Sequence, residues 1–119
     1  MIKTYSTKAK KETAVLVTVV LKDTPVHEVE EHLQELEFLV MTAGAKTKNT
    51  FTQRLAKPDL KTYVGKGKLQ DIETFVKENE IDMVVFDDDL LPSQVRNLEQ
   101  TLECKIHLFL NIDVVEAYF

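Results

Sequence analysis

The chain has no tryptophan, a single cysteine, and only three glycines and three prolines in 119 residues. One cysteine, Cys104, excludes an internal disulfide framework and fits a reducing compartment, the cytoplasm. No apolar run approaches the roughly 18 residues that a membrane span needs. The longest, Ala14 to Leu21, is interrupted by Thr18. The opening "MIKTYSTKAKKE" carries lysines without a following apolar stretch, so no export signal is expected. The three histidines, His27, His32 and His107, stand at no metal-ligand spacing with cysteine, and no Ser/His/Asp set rises above chance. Cys104, at the start of an apolar segment, reads as a core residue rather than a nucleophile.

What is present is an ordinary globular composition, 44% hydrophobic and 29% charged, in one domain-sized chain. The net charge of −5 argues against general affinity for nucleic acid, but it conceals a segregation. Residues 45–70 hold seven bases (Lys46, Lys48, Arg54, Lys57, Lys61, Lys66, Lys68) against one acid, Asp59, whereas residues 71–119 hold three bases and twelve acids. Such a block creates a local electrostatic footprint whatever the net charge.

Hydrophobic periodicity predicts seven alternating elements. "AVLVTVVL" (14–21) is a short β-branched run, suited to a strand covered on both faces. Thr24-Pro25 supplies a helix start, and Val26, Val29, Leu33, Leu36, Val40 and Ala43 form a stripe at helical spacing that ends at Gly44. Residues 45–55 read as an exposed edge strand, Lys57 to Gly67 as a loop, and 68–79 as a second helix. "DMVVFDDD" (82–89) is a buried strand running into three aspartates. Leu91-Pro92-Ser93 opens a third helix with Val95, Leu98 and Leu102 inward, and "CKIHLFL" (104–110) is the last strand. The expected fold is α/β: a small, open, mainly parallel four-stranded sheet in βαβαβαβ order with helices on both faces. Residues 1–12 form a basic tail, 13–110 the domain, and 111–119 a C-terminal extension or linker.

In such a sheet, ligands bind outside the carboxyl ends of the strands, which here collect the basic loop and the aspartates. Within Gly65-Lys66-Gly67-Lys68, glycines at a helix start permit close approach of an anion to free N–H groups, and Lys66 or Lys68 adds charge. A tight turn with solvated lysines is the other reading. The segment lacks the spacing and the hydroxyl of a Walker motif. Asp87, Asp88 and Asp89 offer hard oxygen ligands for magnesium, or simply favour the start of the following helix.

Two segments then resemble a known family. Lys57-Pro58-Asp59 with Tyr63-Val64-Gly65-Lys66-Gly67-Lys68, and Phe86-Asp87-Asp88 followed by Leu90 through Glu99, are similar to the N-terminal domain of HflX-type GTPases. "TAGA" at 42–45 also resembles that family's end of the first helix, and the similarity runs from about Ala14 to Ile106. The resemblance implies a domain that precedes a helical linker and a GTPase domain, in a protein that uses GTP and magnesium and acts on the large ribosomal subunit. It implies ribosomal RNA as partner, with Arg54, Lys57, Lys61, Tyr63, Gly65, Lys66, Gly67 and Lys68 as the phosphate-contacting set. Two departures stand out. No Walker motif occurs anywhere, so no catalysis and no cofactor are expected of this chain alone, and a GTPase domain would act in cis or in trans. After the last strand, His107-Leu108-Phe109 and "LNIDVVEAYF" replace the family's Asp-Arg-Thr. The apolar Val114, Val115, Tyr118 and Phe119 would drive homodimerisation if exposed, or extend the core if packed back. Two rival functions follow from the residues: an ATP- or GTP-magnesium site with weak hydrolysis, and a regulator that docks on a GTPase domain.

Overall fold

A computed structural model describes residues 11–108. Its elements are β1 (Glu12–Val20), α1 (Val26–Thr42), β2 (Ala45–Arg54), α2 (Lys66–Glu78), β3 (Met83–Phe86), α3 (Pro92–Leu102) and β4 (Lys105–Leu108). The four strands form one sheet in the order β2-β1-β3-β4, and every neighbouring pair is parallel. Each crossover is a helix, as parallel pairing demands.

The period-2 alternation of a strand decides what covers each face. Ala14 and Leu16 of β1, with Met83 and Val85 of β3, meet Leu36 and Val40 of α1. Val15 and Val17, with Val84 and Phe86, turn to the opposite face, where Leu69, Ile72 and Val76 of α2 and Leu98 and Leu102 of α3 cover them. One helix therefore lies on one face and two on the other. The continuous apolar run of β1 has the double coverage that its composition predicts, since Ala14 through Val17 are all buried.

Several element ends differ from the sequence reading. The first helix starts after Pro25 rather than with Thr24 as its cap; Thr24 makes no side-chain cap bond, and the Pro25 carbonyl accepts from Glu28 and Val29. As a result Val26 is exposed, outside the buried stripe. The second helix begins at Lys66, two residues early, because Gly65 takes the extended conformation that precedes a first turn. β3 stops at Phe86, which places the three aspartates in a loop. The expected strand over 104–110 is seen as Lys105–Leu108, and its last two residues lie outside the described ones. Outside them also lie residues 1–10 of the basic tail and the extension 111–119, with the dimerisation expected of it. The described part of the tail is not separate from the domain, for β1 begins at Glu12.

Candidate functional site

Because all strands run the same way, the loops after β1, β2 and β3 emerge at one rim. Arg54, at the end of β2, stitches two of them together: its Nη1 donates to the carbonyls of Leu21 (3.2 Å) and Lys22 (3.1 Å).

The basic β2–α2 loop is a closed turn rather than a loose excursion. Asp59 and Tyr63 exchange both backbone hydrogen bonds, at 3.0 and 2.9 Å. Inside that ring, Oδ1 of Asp59 accepts from the amides of Lys61 (2.7 Å) and Thr62 (3.0 Å). The Thr62 amide first, and then that of Lys61, hold the Asp59 carboxyl below the usual carboxylate range. Closure forces Tyr63 to φ 67°, a left-handed conformation uncommon for a non-glycine residue. Two α3 side chains brace the turn from below: Gln94 Nε2 donates to the Asp59 carbonyl at 2.7 Å, and Asn97 Nδ2 to the Lys61 carbonyl at 2.9 Å.

Of the residues expected to contact phosphate, Lys57, Lys61, Lys66, Gly67 and Arg54 are exposed and Lys68 is half-buried. Lys57, Lys61 and Lys66 line one shallow depression with Pro58, Leu60 and Gly65. Among the described residues the lysine ion pairs belong to Lys77 and Lys105, so none of the four loop lysines has a carboxylate within pairing distance. The first turn of α2 leaves the amides of Lys66, Gly67 and Lys68 without intrahelical acceptors, pointing out of the same rim. Tyr63 and Gly65 play a different part. Tyr63 is only 3% exposed, its ring meets Phe86 edge-on at 5.6 Å, and its hydroxyl donates to Oδ2 of Asp88 at 2.7 Å. Burial, and then the bond to Asp88, push its phenol far above the ordinary value. The Gly65 amide is used by Oε1 of Gln53 at 2.8 Å. Both residues hold the loop in place: Tyr63 is turned inward, and Gly65, though at the wall of the depression, has its amide taken by Gln53.

The aspartates split three ways. Asp87 Oδ2 accepts from Thr18 Oγ1 at 2.7 Å and pairs with Nε2 of His32. Asp88 accepts from Tyr63 through one oxygen and from the Asp89 amide (2.7 Å) through the other. Asp89 alone has a carboxylate without a hydrogen bond among the described residues. None caps α3, whose first turn is closed by Gln94 Oε1 accepting from the Leu91 amide at 2.7 Å. With two carboxylates committed to structural donors, the trio does not fit a magnesium site, and no group of three or more His, Cys, Asp or Glu side chains among the described residues is arranged to hold a metal. Cys104 is half-buried against the core; burial first, and then Asp82, push its thiol up, opposite to an activated nucleophile.

The sequence reading missed Thr18, His32, Gln53, Gln94 and Asn97. Alternation extended past β3 does assign Asp87 to the α1 face and Asp88 to the other. No pattern in the chain names the partners that wait there.

The family described as GTP-binding GTPase N-terminal matches residues 30–108. The chain is 40% identical over 105 residues to GTPase HflX of Flavobacterium psychrophilum, covering 85% of this chain and 25% of that protein. It is 46% identical over 79 residues to GTPase HflX of Alkalihalophilus pseudofirmus, covering 66% of this chain and 18% of that one. Among solved structures, it is similar to a GTP-binding protein from Sulfolobus solfataricus in complex with GDP, with a TM-score of 0.55 and 28% identity over 82% of this chain and 27% of the other. The chain thus spans about a quarter or less of the length of these relatives.

Proposed function

This chain belongs to the GTP-binding GTPase N-terminal family, the domain found in HflX-type GTPases, and from that premise we propose that it is a non-catalytic module that contacts ribosomal RNA phosphates on the large ribosomal subunit. The observation that carries the reading is the gathering of Lys57, Lys61 and Lys66 around one depression, with Lys68 on the adjoining first turn of α2, none of them in an ion pair among the described residues. An unpaired ammonium beside exposed helix-start amides favours an anion, and contacts of this kind position a protein on RNA without reading its sequence. Arg54 orients the neighbouring loop, and Tyr63 and Gly65 fix the loop from within. Docking at this rim also supplies a means of regulating an adjoining GTPase domain, joined in cis or present in trans. The chain itself contains no Walker motif, so GTP and magnesium belong to that domain. A ribosomal partner places the work in the cytoplasm; no described helix is long and apolar enough to cross a membrane.

The test is co-sedimentation with purified large ribosomal subunits across a salt series. The association constant should fall by roughly 0.7–0.9 log units per log unit of salt for each phosphate contact. The Lys66→Glu/Lys68→Glu variant should bind weakly and with a shallower slope. Absence of binding at low salt would overturn the reading. Magnesium-dependent binding of GTP or ATP that disappears in Asp87→Ala would put a nucleotide site in its place.

A further inference from the structure

The second segment that carries the family resemblance, Leu90 through Glu99, holds none of the lysines of the rim. It does supply two side chains that reach the lysine turn from outside. Gln94, buried in the first turn of α3, donates from Nε2 to the Asp59 carbonyl while its Oε1 accepts from the Leu91 amide, both at 2.7 Å. Three residues on, along the same side of the helix, Asn97 Nδ2 donates to the Lys61 carbonyl at 2.9 Å.

Both bonds end on main-chain carbonyls, so they hold the backbone of the turn and leave its cations free. The shape of the turn is already fixed from within. Asp59 and Tyr63 exchange two backbone bonds, Oδ1 of Asp59 accepts from the amides of Lys61 and Thr62, and Thr62 Oγ1 donates to the Val64 carbonyl at 2.9 Å. A turn closed by its own bonds needs no help to keep its conformation, only to keep its place. Its later end is pinned at Tyr63, through Phe86 and Asp88. Its earlier side meets the domain through Gln94 and Asn97, with Lys61 at one held carbonyl and Lys57 two residues before the other.

We infer that Gln94 and Asn97 are positioning residues for phosphate contact: they hold the lysine turn at a fixed offset from the first turn of α2, so that Lys57 and Lys61 meet the same RNA surface as Lys66 and Lys68. The inference rests on the ribosomal reading above and gives α3 a part in it. Without the two donors the turn stays closed but pivots about Tyr63. Cations held at fixed spacing engage a phosphate array together, whereas a swinging pair must first be ordered.

The test is co-sedimentation with large ribosomal subunits across a salt series, using uncharged substitutions so that electrostatics change only through placement. Gln94→Met/Asn97→Ala should weaken binding and make the salt slope shallower by roughly 1.4–1.8 log units per log unit of salt, the share of two phosphate contacts. Lys57→Gln/Lys61→Gln should do the same, and the combination of all four should lose no more than either pair, because both remove the same contacts. Circular dichroism checks folding. Should the Gln94 substitution unfold the chain, Asn97→Ala alone, which removes one donor from a half-buried position, should still lower the slope and lose nothing further in the Lys57→Gln/Lys61→Gln background. An unchanged slope in the folded variants overturns the inference and leaves the RNA reading standing. Additive losses also overturn it, since Gln94 and Asn97 would then act on the fold as a whole rather than through these lysines. If the unmodified chain does not bind, the ribosomal reading fails and this inference falls with it.

Discussion

Asp87 and Asp88 are adjacent in the chain and serve opposite faces of the sheet. Asp87 turns toward α1, where Thr18 Oγ1 donates to it at 2.7 Å and His32 pairs with the same oxygen. Asp88 turns the other way and accepts from the Tyr63 hydroxyl, also at 2.7 Å. The alternation of β3 continues one step past its last hydrogen-bonded residue, so two like charges are separated rather than crowded.

Asp87 is a structural residue on this geometry. Its side chain is 7% exposed, and Asp87→Ala strands the hydroxyl of Thr18, itself 1% exposed. The loss expected in urea or thermal unfolding is about 1–3 kcal/mol. Asp89→Ala, whose exposed carboxylate meets no donor among the described residues, should stay within about 0.5 kcal/mol. Equal effects of the two substitutions would contradict the assignment.

Tyr63 predicts an alkaline limit. Burial and the Asp88 bond raise its folded-state pKa, so folding favours the neutral phenol. The stabilisation is complete below the unfolded value of about 10 and is lost as pH rises beyond it, when the unfolded chain releases a proton that the folded one retains. Unfolding midpoints measured from neutral pH upward should drop above that point. Tyr63→Phe should flatten the drop while lowering stability at neutral pH by about 1 kcal/mol.

The glycines separate by backbone rather than by composition. Gly44 has φ +98° and open space where a Cβ would stand, so Gly44→Ala incurs backbone strain alone, about 1–3 kcal/mol. Gly67 lies in the first turn of α2 with nothing within 4 Å of an added Cβ, and Gly67→Ala should stabilise by about 0.5–1 kcal/mol. Chemical denaturation of the two variants reads both signs directly.

On α1, Leu36 is fully buried between the helix and β1 and β3, and Leu36→Ala should cost about 2–5 kcal/mol. Phe38, two residues on and 58% exposed, should tolerate serine within about 0.5 kcal/mol in thermal unfolding. If Phe38→Ser were the more damaging, the face assigned to the core would be wrong.

The order of elements, the double coverage of β1 and the edge position of β2 were all legible in the chain, because apolar periodicity directly records which faces are dry. The concentration of lysine between β2 and α2 was legible too, since charge segregation needs no coordinates. Caps were less so: Thr24 has the chemistry of a cap, but Pro25 takes the position before the helix, and Gly65 starts α2 two residues before the apolar stripe announces it. What tertiary structure alone decided is which polar groups meet. Thr18, His32, Gln53 and Gln94 come from four different elements, and the long-range partners they engage lie 12 to 69 positions away. A strand's alternation tells which side a residue faces, and only packing brings a donor there. For the same reason Tyr63, which sits in the basic motif as though made to touch a ligand, is turned inward: once the Asp59 ring closes, burying its ring on Phe86 is the arrangement that satisfies both its apolar body and its hydroxyl.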